Sequence, residues 1–222
     1  HGEEIDCQVV GLTAGVSPNI DFLNSSKIEL KRGILVDKHL QTNIEGVYAI
    51  GDCAEFIQNP ASDRKNIEQV WYTGKIMGKT LATTICKEKV VYDPGHWFNS
   101  AKFMDIEYQT YGWVFPEPKE GEEHFYWEHF KGKKSIRLCF ESDSRKFVGV
   151  NCFGIRLRHQ AFDKWLNEAS SIEYVVEHLK DANFDPELYK QHELEIVTKF
   201  NAEQGTTITP RKRNWKNLFT TK

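Results

Sequence analysis

The chain has 222 residues, 40% of them hydrophobic and 27% charged, which suits one or two folded domains and excludes an intrinsically disordered chain. No apolar run approaches the ~20 residues needed to span a bilayer, and the first residues form neither a basic nor an apolar leader, so a cytoplasmic protein with no membrane partner is expected. A net charge of −3 gives no general electrostatic reason to bind nucleic acid.

Residues 1–60 alternate short apolar runs with Gly, Pro, Asn and Asp, the pattern of strands and turns. Ile5 to Leu12, Ile34 to Val36 and Val47 to Ile50 are the three expected strands, the last ending abruptly at Gly51-Asp52. Residues 67–86 then follow a helical period: Ile67, Val70, Trp71, Gly74, Met77, Gly78, Leu81, Ala82 and Ile85 fall on one face. Gly74 and Gly78 each weaken a helix, and either close approach to another backbone or ligand, or packing alone, would compensate.

After Asp93-Pro94-Gly95 the composition changes. Residues 96–155 are aromatic-rich and alternate, and Lys134–Glu141 and Phe147–Phe153 read as antiparallel strands joined by a turn at Ser142-Asp143-Ser144. Trp113, Phe115, Phe125, Tyr126 and Trp127 suit a core or an interface. Helical spacing returns over 158–202, at Phe162, Trp165 and Leu166 and then Ile172, Val175, Val176 and Leu179. Asp185-Pro186 reads as the start of the last helix, an N-cap followed by a first-turn proline. The chain ends in a basic cluster, Arg211, Lys212, Arg213 and Lys216 around Trp215, read as a solvated tail.

Five cysteines, at 7, 53, 86, 139 and 152, form no Cys-x-x-Cys pair, and the histidines form no His-x-x-x-His pair. Neither a disulfide framework nor a metal site is expected; free, mostly buried thiols are.

The most informative stretch is Gly33-Ile-Leu-Val-Asp37 followed by Thr42-Asn-Ile-Glu-Gly-Val-Tyr-Ala-Ile-Gly-Asp-Cys-Ala-Glu55. A buried strand that delivers a glycine and an aspartate at its carboxyl end is where α/β sheets collect ligands. Gly51 lets a ligand approach the backbone, and Asp52 can accept hydrogen bonds from sugar or ribityl hydroxyls. The ordered set Thr42, Val47, Tyr48, Ala49, Ile50, Gly51, Asp52 resembles the second FAD-binding motif of the pyridine nucleotide-disulfide oxidoreductase-like flavoproteins. Gln8 to Asn19, ending in Gly-x-x-Pro-Asn, is similar to the exit of that family's inserted NAD(P)-binding domain. Arg64 to Trp71 is similar to the start of the helix that faces the flavin ring. Pro94 to Ser100, with the run to Gly112, resembles the opening of the C-terminal domain in the ferredoxin/rubredoxin reductase and nitrite-reductase-like branch. Asn99 departs from it where close relatives often carry Trp; Trp97 and Phe98 stay open between flavin stacking and hinge packing.

The resemblance implies an α/β remnant of an FAD-binding domain followed by an α+β C-terminal domain, an antiparallel sheet with helices. Residues 1–19 would end the NAD(P)-binding insert, residues 20–92 would be the C-terminal part of the FAD-binding domain, and residues 93–222 an interface-like domain. It implies FAD as cofactor and NAD(P)H as electron donor. Gly51, Asp52, Gln69, Val70 and Trp71 would bind the cofactor, with Trp71 equally readable as core. No residue stands out as catalytic acid, base or nucleophile. The Gly-x-Gly-x-x-Gly loops of the family do not occur, so the chain reads as a fragment, inactive alone, whose first partner is its own missing N-terminal half. The acceptor, a small redox protein or a small molecule, is not legible, and a homodimer is left open. The alternative is a non-catalytic interaction or dimerisation module.

Overall fold

A computed structural model describes residues 2, 4–61, 63–184 and 190–211. The chain divides into two compact units, His1–Pro94 and Gly95–Lys222.

In the first unit a two-stranded parallel sheet pairs β1 (Ile34–Val36) with β2 (Ala54–Phe56), Leu35 lying opposite Glu55. One helix, α1 (Trp71–Cys86), packs on it, and Val36, Leu40, Ala54, Phe56, Met77 and Tyr92 form a small apolar core. Three expectations need correction here. Ile5 to Leu12 forms no strand, and Ile5, Val9, Val10 and Leu12 are exposed. A strand needs a neighbour for its N–H and C=O groups, and no described segment pairs with this one.

Val47 to Ile50 is extended but not a buried strand. Only Tyr48 bridges, to Gln41, and Ile50 is 40% exposed. The ladder stops at that bridge because the opposing chain turns at Leu40, whose φ is +67°. Its hydrogen bonds are Thr42 N–H to Val47 O at 2.9 Å and Ala49 N–H to Leu40 O at 3.1 Å. Thr42 Oγ1 also donates to Val47 O, at 3.0 Å, so the first residue of the motif staples this loop. The helix, finally, starts at Trp71 rather than near 67. Its buried side chains are Thr73 and Met77, with Ile76 and Leu81 packed beside them, whereas Trp71 and Ile85 face solvent.

The second unit is a five-stranded antiparallel sheet, β3 (Phe98–Phe103), β4 (Ile106–Gly112), β5 (Glu122–Glu128), β6 (Ser135–Glu141) and β7 (Phe147–Phe153), in the order β3-β4-β7-β6-β5. β6 and β7 pair through the expected turn, Leu138 opposite Val150. Period-two alternation puts Phe125, Leu138, Val150 and Tyr111 on one face. There they meet Phe162 and Trp165 of α2 (His159–Asn167), Ile172, Val175 and Val176 of α3 (Ile172–His178), and Ile196, Val197 and Phe200 of α4 (Glu193–Gln204). Ser171 caps α3 by accepting from Tyr174 N–H, and Gly205 ends α4 in the left-handed region. The Asp185-Pro186 helix start lies outside the described residues, and α4 begins only after His192. Of the basic tail, Arg211 is described and Lys212, Arg213, Trp215 and Lys216 are not.

The architecture is thus a small parallel α/β unit and an antiparallel sheet with helices on one face. The cysteines depart from expectation: Cys139 and Cys152 are buried, but Cys7 and Cys86 are exposed and Cys53 lies between. Among the described residues no helix is long and apolar enough to cross a membrane.

Candidate functional site

The Gly51-Asp52 turn lies in the first unit, between the extended Val47–Ile50 segment and β2. Gly51 has φ +77°, a conformation that costs a residue with a Cβ about 1–2 kcal/mol. Gly51 to Cys53 then form one 3₁₀ turn, closed by Ala54 N–H donating to Gly51 O. The turn projects Asp52 into solvent, and a Cβ on Gly51 would meet open space. A ligand can reach this backbone without displacing a side chain.

The same turn lies against the N-terminal half of α1. A Cβ on Gly74 would sit 3.6 Å from Gly51 Cα, one on Gly78 would sit 4.0 Å from Ile50 Cδ1, and Gly51 N–H points at Met77 Sδ, 3.2 Å away. Gly74 therefore faces the Gly51 backbone and Gly78 the Ile50 side chain, both at ordinary contact distance. The structure thus brings together Gly51, Asp52 and the start of α1, which the sequence offers in separate segments.

Gln69 and Val70 are half-buried and extended, and they precede the helix instead of lying on it. Val70 occupies the N-cap with no side chain able to cap, and the first turn holds no acidic residue, so the helix's positive end is uncompensated from within. Trp71 is 68% exposed, which removes the core reading; its ring meets Tyr72 edge-on at 5.1 Å and carries the Lys75 ammonium at 5.0 Å.

Two supports of this site have no sequence signal. Glu55 on β2, 4% exposed, accepts from the backbone N–H groups of Arg32 and Gly33, each at 2.8 Å, and holds the entry to β1. Arg64 and Glu68 form a buried fork, Nε to Oε1 at 2.5 Å and Nη2 to Oε2 at 2.7 Å. Thr73 Oγ1 donates to Glu68 Oε2 at 3.4 Å, which ties this pair to the first turn of α1. Removing one partner of such a buried pair costs ~3–5 kcal/mol, because the other charge stays behind. The pair fixes where the helix begins. Behind it, Tyr92 stacks on Phe56 at 5.1 Å; burial first, then the nearby Glu68 charge, pushes its hydroxyl up to about 12.

In the second unit Trp97 stacks flat on Trp113 at 5.1 Å, and Phe98 packs on His159 at 4.4 Å. Phe125 and Trp127 are core, while Tyr126 is 39% exposed on the opposite face. Burial pushes the thiols of Cys139 and Cys152 up to about 12, so neither is a ready nucleophile.

Residues 1–77, which hold the Gly51-Asp52 turn and the start of α1, match the family described as pyridine nucleotide-disulphide oxidoreductase. An NADH-rubredoxin oxidoreductase of Clostridium acetobutylicum is 47% identical over 60 residues, 27% of this chain and 16% of that protein. An NADH oxidase of Streptococcus pneumoniae is 45% identical over 220 residues, 91% of this chain and 47% of that protein. Among solved structures, a NAD-dependent persulfide reductase from A. fulgidus matches with TM-score 0.60 at 19% identity, covering 86% of this chain and 38% of that one. These likenesses agree with the resemblance carried by the motif: residues 1–77 are similar to the pyridine nucleotide-disulphide oxidoreductases. The chain spans less than half the length of the curated relatives named here.

Proposed function

We propose that the chain is the C-terminal part of an NAD(P)H:acceptor oxidoreductase, with FAD seated at the Gly51-Asp52 turn. The observation that carries this reading is the left-handed glycine turn that exposes Asp52 beside the uncapped start of α1. When bound, the flavin would supply the redox chemistry, taking hydride from NAD(P)H and passing electrons to an acceptor.

This chain's residues would position and tune. Asp52 would accept hydrogen bonds from the ribityl hydroxyls, each such bond to a charged group being worth about 1.5–3 kcal/mol. Gly51 would admit the ribityl chain to the backbone. The N-terminus of α1, carrying about +0.5 elementary charge, would stabilise negative charge on the pyrimidine side of the ring, with Gln69, Val70 and Trp71 bordering it. The remaining cofactor contacts would come from the N-terminal half of the parent protein, and the chain by itself would be inactive. A small redox protein is the acceptor class we favour, since rubredoxin stands in the name of one relative.

The test is the visible spectrum of the purified full-length parent. Bound oxidised flavin absorbs near ~450 nm, and NAD(P)H should bleach that band. A colourless, folded parent would overturn the reading.

A further inference from the structure

Two clusters of metal-ligand side chains stand in the second unit, both remote in sequence from the Gly51-Asp52 turn. One joins Glu122 and His124 of β5 to Cys139 of β6; the other joins His129, His192 and Glu195. In the second cluster the Lys134 ammonium sits 3.1 Å from His192 Nε2. That ammonium repels a cation and occupies one of the two ring nitrogens His192 could offer. Near the first cluster the cations are engaged elsewhere: Arg137 Nη1 donates to Pro116 O, and the Lys119 ammonium lies over the Phe115 ring at 4.2 Å.

We propose that Glu122, His124 and Cys139 form a binding site for a divalent ion of the zinc type. Its donors are set by the sheet. His124 and Cys139 are directly opposed in the β5–β6 ladder, and Glu122 lies two residues before His124, so all three project on the face away from the helices. One ligand atom from each lies within 4.8 Å of the other two, and Cys139 Sγ is 3.4 Å from Glu122 Oε2. Metal bonds of ~2.3 Å to sulfur and ~2.0–2.2 Å to nitrogen and oxygen put tetrahedral donors about 3.2–3.6 Å apart. Standing within 4.8 Å of one another, the donors would draw together to that spacing on binding.

A second observation points the same way. His124 Nε2 is sealed from solvent and has no hydrogen-bond partner. A buried imidazole nitrogen without a partner is costly, and a cation beside Cys139 and Glu122 would satisfy it. The segment between β4 and β5 runs over this face, where Pro116 O accepts from Arg137 Nη1 at 2.8 Å, and Cys139 is fully buried. Thiolate, carboxylate and neutral imidazole together carry two negative charges, which a divalent ion cancels. The thiol proton leaves to solvent on binding. Sulfur and imidazole select zinc over calcium or magnesium, and three protein ligands leave a fourth position for water. The site is independent of the flavin reading.

The experiment is a titration of the metal-free, reduced full chain with zinc chloride, followed by calorimetry, and with cobalt chloride, followed by its spectrum. One zinc per chain and a thiolate-to-cobalt charge-transfer band are expected. His124→Ala and Cys139→Ser should weaken binding by more than the roughly hundredfold that loss of an outer contact costs. Cys152→Ser, on the opposite face, should not change it. If Cys139→Ser fails to fold by circular dichroism, Glu122→Gln, a partly exposed change, should still weaken binding at least tenfold. Absence of stoichiometric zinc, or zinc retained unchanged in His124→Ala and Glu122→Gln because exposed Cys7 or Cys86 holds it, overturns the site.

Discussion

Gly33 and Glu55 are locked together across the two-stranded sheet. The Gly33 N–H donates to Glu55 Oε2 at 2.8 Å, while a Cβ on Gly33 would lie 2.9 Å from Glu55 Cβ and 2.8 Å from Cys53 O. Cys53 is the last residue of the 3₁₀ turn that begins at Gly51, so this contact also holds the candidate cofactor turn in place. Gly33→Ala must push the Cys53 backbone away, and a loss of ~1–3 kcal/mol is expected from overpacking of that kind. Glu55→Ala leaves two backbone donors without their acceptor, at ~1–3 kcal/mol for each that stays buried. Urea unfolding of the full chain checks both; a Gly33→Ala midpoint equal to wild type would contradict the close approach.

Asp52 should behave oppositely. It is exposed at the tip of its turn and supports no core residue, so Asp52→Ala should leave the unfolding midpoint within about 0.5 kcal/mol of wild type. In the full-length parent the same substitution should lower the flavin content of the purified protein, read as the ratio of visible to protein absorbance. Undiminished flavin in the variant would remove Asp52 from the site.

The contrast between these two carboxylates shows what the sequence could reveal. Asp52 was legible because a motif names it. Glu55, three residues on, was not, because its partners Arg32 and Gly33 come from a distant segment. The second unit was the more readable, since alternation such as Leu138, Phe140 against Arg137, Cys139 follows from the pleat itself. Ile5 to Leu12 misled for the converse reason: alternation promises a strand only where a partner exists. The start of α1 was misplaced by one turn, because Ile67 and Val70 keep the helical period although the backbone is still extended at Val70. Likewise the Glu122, His124, Cys139 cluster is invisible to spacing rules, as it needs the β5–β6 register to assemble.

Among the described residues, the core of the second unit draws on residues from Phe98 to Ile208 and is much the larger of the two. A fragment of residues 95–222 should therefore fold alone and melt cooperatively, having the size that supports its own core. Residues 1–94 should not, since their sheet has two short strands and one helix over it. Limited proteolysis followed by thermal melts of the pieces decides this; a stable first piece with an unfolded second would reverse the assignment.

The last prediction concerns acid. His159 lies between Phe98 and Tyr111, 4.4 and 5.2 Å from their rings, and burial lowers its pKa from the ordinary 6.5; Asp163 opposes that shift and His96 adds to it. His192, against Trp127, is lowered chiefly by burial and next by the Lys134 charge, while Glu195 pulls it back and His129 adds to the lowering. In both cases the unfolded chain binds the proton more readily than the folded one. Their stabilising effect is therefore complete above about pH 6.5 and is lost as pH falls through the depressed folded values. The urea midpoint should drop between roughly pH 7 and pH 5.5, before most carboxylates titrate. His159→Phe keeps the ring packing and removes the proton site, so its midpoint should fall less over that window. Equal slopes for the variant and the wild type would show that His159 carries none of the acid sensitivity.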